Sequence, residues 1–304
     1  MLAPLSNEVI FKIAFTDREV LTCFVRDILG LDVILGNIET EKRFSPKIGN
    51  IDFAYDIFAE TEDERFIIEI QNVEYDYHFD RFLHYHNMAI SEQQKSSKDY
   101  KTNQVVYTIV IISSPYDGLD INGNPIKDEV LISSADPRNL MDKLVPIFGH
   151  KFILLNPHNR TDSMPANYRD WLDLIYESIY NQENYRVNLK NEGIRKAVQL
   201  IDYDRLSPLQ IREMKEEEGR KVVLSMYDTR VKRAEAEKQK AEEEKQKAEQ
   251  EKEEAIKKAE EDKSLLYKTM VNRLFARGQS FTEIAETTGL TLAEVESLLN
   301  SSSV

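Results

Sequence analysis

Residues 105–112 read VVYTIVII, an unbroken β-branched and aromatic run. A strand with one wet face alternates apolar and polar side chains, so this run predicts a central strand covered on both faces. The flanking patterns supply the covers. Residues 7–29 predict an opening helix with Ile13, Leu21, Phe24, Val25 and Ile28 on one stripe and Gly30 as its C-cap. A strand near 37–45 follows, and residues 77–98 predict a helix with Phe79, Phe82, Leu83, Ala89 and Ile90 facing inward. Turn residues from Pro115 to Pro125, Asn122-Gly123 among them, precede strands near 129–134 and 151–155. Ser163 and Pro165 open a helix carrying Trp171, Leu174, Ile175 and Ile179, and a further helix covers 192–203. Helix, strands, helix and buried strand is an α/β order.

Between the first two helices lies a hairpin with a chemical signature. Residues 51–60 (IDFAYDIFAE) and 65–71 (RFIIEIQ) read as strands joined by the polar loop Thr61-Glu62-Asp63-Glu64. With that loop, Glu60 faces Arg65, Asp56 falls opposite Glu69, and Ala54 falls opposite Gln71. Period-two geometry puts Glu69 and Gln71 on one side and Phe66, Ile68 and Ile70 on the other. Like charges directly across a strand pair cost a few tenths to about 1 kcal/mol unless a positive group sits between them. A hard divalent cation such as Mg²⁺, held by one or two carboxylates plus water and phosphate oxygens, removes the repulsion. The same two residues also fit the solvated face of an ordinary antiparallel sheet, and a one-residue slip would separate them. On the following helix, Arg81 and Tyr85 lie one turn apart on the same side.

Charge narrows the possible partners. The formal net charge is −14, and residues 1–219 hold 24 basic and 37 acidic residues. Such a surface does not attract nucleic acid by its overall field, so any nucleic-acid site is a local basic patch or a metal-bridged one. Lys95, Lys98 and Lys101 are the candidate patch, against the plainer reading of a solvated helix end. The single cysteine, Cys23, sits among apolar neighbours and forms no disulfide within the chain, which fits a reducing compartment. No signal sequence and no run of about 20 apolar residues is present, so a cytoplasmic protein without a membrane span is expected. His78, His84 and His86 lack the spacing of a zinc site, and no phosphate-binding glycine loop or nucleophile elbow occurs.

The C-terminal third is organised differently. Ser207-Pro208 starts a helical pattern that runs into the seven-residue units AEAEKQK, AEEEKQK and AEQEKEE from Ala234. The period is that of a coiled coil, but Ala and Glu occupy its seam. Glu to Lys pairs such as Glu237 with Lys240 support a solvated helix without a partner, a rod of about 45 Å over thirty residues. Three units are expected: 1–205, a long charged helix over 206–263 that is a candidate for homo-oligomer formation, and a small helical element over 264–304. Within the last, FTEIAETTGLTLAEVESLL resembles a helix-turn-helix, with Ala285, Gly289 and Val295 at its contact, turn and packing positions. Its second helix carries Glu294 and Glu296 and no basic residue, which disfavours DNA reading.

The segments SNEVIFKIAF, YDIFAE, FIIEIQ and FDRFLHYHNMAISEQQK, followed by the buried strand, resemble the Rpn family of recombination-promoting nucleases and transposases in the PD-(D/E)XK superfamily. The resemblance spans roughly residues 5–180. It implies a restriction-endonuclease-like mixed sheet flanked by helices and Mg²⁺-dependent hydrolysis of DNA phosphodiester bonds, with Mn²⁺ as the alternative ion. By position, Asp56 matches the catalytic aspartate, Glu69 the second acidic ligand, and Gln71 the place where much of the superfamily has lysine. Arg81 and Tyr85 match the helix motif that follows, and Glu8 matches an acidic position of the first helix that adds a third candidate metal ligand. Arg81, Tyr85, Lys95 and Lys98 are the candidate substrate-binding residues. The rival reading is a nuclease-fold scaffold without activity whose C-terminal helix mediates assembly.

Overall fold

The computed structural model describes residues 1–43, 54–71, 80–94, 101–116 and 118–300. Among them, eight α-helices and one six-stranded sheet are formed. The opening region is two helices, α1 (Glu8–Phe15) and α2 (Arg18–Leu29), instead of the single helix expected over 7–29. Asp17 breaks it: its carboxylate accepts the amides of Glu19 and Val20 and starts a new helix. Gly30 ends α2 at φ 73, a left-handed position that suits glycine.

The strands are β1 (Ile38–Arg43), β2 (Ala54–Glu60), β3 (Glu64–Gln71), β4 (Val105–Ile112), β5 (Val130–Ser134) and β6 (Lys151–Leu155), in the order β1-β2-β3-β4-β6-β5. β3, β4 and β6 run parallel to one another and the outer pairings are antiparallel, a mixed sheet. β4 is central and covered on both sides, as its composition predicts. Tyr107, Ile109 and Ile111 join one core, and Val106 and Val110 join the other.

The larger core packs α1, α2, α4 (Ala166–Tyr180) and α5 (Glu192–Leu200) against Ile57, Ala59, Phe66 and Ile68 of the hairpin, with Trp171 fully buried between helices. The smaller core lies beneath α3 (Asp80–Ser91), where Phe82, Tyr85 and Ala89 meet Phe58 and Ile67. Leu83, expected to face inward, is 48% exposed. Tyr85 and His86 take its place because their polar atoms have partners, the His86 ring meeting the Thr108 hydroxyl at 2.9 Å. Phe79 lies outside the described residues.

α6 (Pro208–Phe275) is one continuous helix of 68 residues, capped reciprocally by Ser207 and Gln210. Its first turns belong to the compact unit Met1–Ser225, where Met214 and Glu217 are buried. From Thr229 to Leu266 every described side chain is exposed. In the second unit, Met226–Val304, α7 (Phe281–Thr288) and α8 (Leu292–Asn300) pack on the end of α6 through Val271, Ile284 and Val295, with Gly289 at φ 71 as the turn. No helix among the described residues is long and apolar enough to cross a membrane.

Candidate active site

The hairpin register is the expected one: Glu60 pairs with Arg65, and the pairing continues to Ile57 with Ile68. One step further the ladder opens at Asp56 and Glu69. The Asp56 amide donates to Oε1 of Glu69 at 3.1 Å, and the Ile70 amide donates to Oδ2 of Asp56 at 3.0 Å. Each carboxylate thus takes an amide of the opposite strand. Alternation slips at the same point, since Tyr55 and Phe58 both enter the core beneath α3 while Ile57 and Ala59 enter the other. On the far side, the register pairs Thr40 with Ile57 and Lys42 with Tyr55 and passes over Glu41, whose φ of 53 is a costly left-handed conformation for a residue with a Cβ.

Burial dominates the electrostatics of the pair. Desolvation pushes the Asp56 carboxyl up to about 6, opposed by the Ile70 amide and by Lys12 and Arg81, and reinforced by Glu8. Glu69 is only 3% exposed, and its pKa rises well above the usual carboxylate range, first from desolvation and then from the Asp56 charge. Two acids this close favour retaining a proton unless a cation replaces it.

Arg81 stands beside them on α3. Its Nε donates to the Tyr85 hydroxyl at 2.8 Å, and its guanidinium lies 5.2 Å from the Tyr85 ring centroid. Partial burial opposes its charge, but Tyr85, Glu69 and Asp56 outweigh that cost and raise its pKa. Gln71 ends β3, and its carbonyl accepts both the amide (2.9 Å) and the hydroxyl (3.1 Å) of Ser113 after β4.

Glu8 lies in the first turn of α1. Its half-exposed carboxylate is held by Lys12, four residues on in α1, and Lys12 also bonds Glu41 at 3.0 Å. Among the described residues no three His, Cys, Asp or Glu side chains form a metal-binding group. Two carboxylates are hard oxygen donors, a chemistry that suits hard divalent cations better than zinc. Lys95 and Lys98 lie outside the described residues.

Two contributors escaped pattern reading. Lys12 is a cation within electrostatic reach of Asp56, and its spacing of four from Glu8 was the available signal. Tyr55 is completely buried, and its hydroxyl donates to the Tyr85 carbonyl at 3.0 Å, tying β2 to the helix that carries Arg81.

A mixed sheet between helical layers, with an aspartate and a Glu-x-Gln run on adjoining strands, defines the restriction-endonuclease-like class of nuclease folds. Comparison with known families makes this specific. The sequence profile of the PD-(D/E)XK nuclease family transposases matches residues 10–227, and the chain belongs to that family. The match begins within α1, after Glu8, and includes α2 to α5, the whole sheet and the beginning of α6. Searches of curated proteins and of solved structures return no match.

Proposed function

We propose that this protein is a metal-dependent DNA endonuclease of the Rpn kind, acting in the cytoplasm in recombination or transposition. Membership of a nuclease family supports the reaction class, and one observation carries the assignment of residues. Asp56 and Glu69 cross-bond the open end of the β2–β3 ladder, buried together with their pKa values raised. That arrangement is costly by itself and is relieved by a divalent cation.

Asp56 and Glu69 would hold a divalent cation, Mg²⁺ or Mn²⁺, by their carboxylate oxygens, and such an ion would supply Lewis-acid activation of water and charge neutralisation at phosphate. Gln71 would orient the attacking water through its amide but would take no proton, since an amide has no basic lone pair at neutral pH. Arg81, braced by Tyr85, contacts a phosphate oxygen. Glu8 adds negative potential at the site without joining the ligand set, and Lys95 and Lys98 extend the substrate path.

Plasmid cleavage by the full chain with Mg²⁺, Mn²⁺ or EDTA tests this. Asp56→Ala and Glu69→Gln are each expected to lower the metal-dependent rate by at least about a hundredfold, or roughly 2.7 kcal/mol of barrier. Equal cleavage by wild type and Asp56→Ala overturns the assignment. A second reading, an assembly scaffold on the nuclease fold, draws support from the fully exposed stretch of α6 and from Gln71 at the lysine position. Titration calorimetry separates the two, because Mn²⁺ heat that vanishes in Glu69→Gln excludes a scaffold that binds no metal.

A further inference from the structure

The connection from β5 to β6 is much longer than their pairing requires. Antiparallel neighbours are usually joined by about two to five residues, and this connection runs from 135 to 150. It folds as a small hairpin of its own, in which Arg138 bridges Leu144, the Val145 amide donates to the Pro137 carbonyl at 2.8 Å and the Asn139 amide donates to the Lys143 carbonyl at 3.0 Å. Polar bonds fix both of its ends. At the tip, Oδ1 of Asn139 accepts the amides of Met141 (2.9 Å) and Lys143 (3.1 Å), while Arg138 donates to the Asp142 carbonyl at 2.6 Å and holds that residue at a left-handed φ of 60. At the base, Oδ1 of Asp136 accepts the amides of Ile147, Phe148 and Gly149 at 2.8, 2.6 and 3.0 Å.

This polar scaffold displays apolar side chains. Leu140 is fully exposed and Met141 is 89% exposed, and Leu144, Val145, Ile147 and Phe148 also reach the surface. Together the six leave open about as much as four whole side chains, on the order of 400 Å² of apolar surface. That equals the largest apolar patch of an ordinary monomer, about 300–600 Å², here concentrated in one connection. It also matches the apolar share of one side of a standard protein interface, a little over half of about 800 Å².

Charge selects the occupant. Residues 1–219 hold 24 basic and 37 acidic residues, so copies of the chain repel one another over most of this region, and an anionic bilayer repels it in the same way. Residues 130–151 differ: they hold three basic and two acidic residues, and one of those acids, Asp136, is buried against its three amides. Arg138 and Lys143 flank Asp142, so two such hairpins about a two-fold axis each bring both signs of charge to the contact. We propose that the 137–148 segment is the interface of a homodimer, in which the hairpins of two copies pack about a two-fold axis and cover each other's Leu140 and Met141. The fixed hairpin lowers the ordering cost of that contact. The segment leaves the sheet at Ser134 and returns at Lys151, which pairs with Tyr107 near the start of β4, whereas Glu69 pairs with Val110 toward its other end. The dimer contact therefore lies away from the carboxylate pair, and it does not depend on the nuclease reading.

Sedimentation equilibrium of the full chain at about 50 µM, above the micromolar weak end for interfaces of standard size, tests this. Wild type is expected to be a dimer. Leu140→Asp combined with Met141→Asp places two charges in the contact and is expected to weaken dimerisation at least about a hundredfold, leaving a monomer. Both positions are exposed, so the variant is expected to keep the wild-type thermal melt of its circular dichroism, which checks that it folds. Val231→Glu, at an exposed apolar position of α6, is expected to remain a dimer and separates this interface from one formed by the long helix. A monomeric wild type overturns the proposal, and if that monomer floats with phosphatidylserine vesicles the patch belongs to lipid instead. A folded hairpin variant that dimerises like wild type overturns it too, as does a dimer that Val231→Glu dissociates.

Discussion

At Asp56 and Glu69 the cost of burying charge sets both chemistry and stability. A carboxyl whose folded pKa is raised binds its proton more tightly in the native state than in the unfolded chain. Its contribution to stability is complete below the ordinary carboxylate range and is lost as pH rises through the folded value, about 6 for Asp56. In EDTA, the metal-free protein is therefore expected to melt at a lower temperature at pH 8 than at pH 5. Glu69→Gln, which removes one charge, is expected to flatten that slope and to raise Tm at pH 8 by at least about 2 °C, the shift from about 1 kcal/mol in a domain of this size. Mg²⁺ at pH 8 should raise the wild-type Tm and leave the variant unchanged. Calorimetry from pH 5 to 8 checks all three, and a variant that melts below wild type at pH 8 contradicts them. Asp56 and Glu69 were legible because strand spacing and loop length suffice to place them. Lys12 and Tyr55 were not, because Lys12 reaches the pair from α1 and Tyr55 acts through a bond to Tyr85 on α3, both contacts between segments far apart in the chain.

Among the elements, pattern reading found burial more reliably than continuity. The stripe through residues 7–29 continues across the break at Asp17 because α1 and α2 face the same core. Periodicity records which face is covered, and a cap residue inside the pattern decides where the helix stops. The inward face of α3 was misread at Leu83, since Tyr85 and His86 are buried instead, their polar atoms bonded to Arg81 one turn earlier on the same helix and to Thr108 on β4. Tyr55 links β2 to α3 by a hydrogen bond to the Tyr85 carbonyl. Tyr55→Phe keeps the ring and removes that bond, so it is expected to cost about 1 kcal/mol. Because Arg81 loses part of its bracing, cleavage should fall by less than tenfold, well short of Asp56→Ala. Urea denaturation with an unchanged m-value, together with the cleavage rate, checks both parts.

At the scale of the whole molecule, the layer that carries α1 is joined to the beginning of the charged helix. Glu217 is 5% exposed, and its two carboxylate oxygens accept the amides of Glu8 and Val9 at 2.9 and 3.1 Å, capping α1 from α6. Asn7 reaches back to the Met214 carbonyl at 3.0 Å. A chain ending at Leu206 lacks these contacts and is expected to be less stable than one ending at Ser225 by about 3 kcal/mol, from the Glu8 amide left without its acceptor, the lost Asn7 bond to Met214 and the lost burial of Met214. Identical urea midpoints for the two chains would remove this role from α6.

The sequence by itself determined the α/β order, the central position of β4, the hairpin register that sets Asp56 beside Glu69, and the long charged helix, because each follows from local periodicity, turn length or composition. Only the tertiary structure decided that the ladder opens at that pair, that Lys12 and Arg81 approach it from different helices, and that Glu217, in a run that reads as solvated, is buried at the head of α1. Those features depend on contacts between distant segments. A charged residue looks the same in the sequence whether it faces water or the end of another helix.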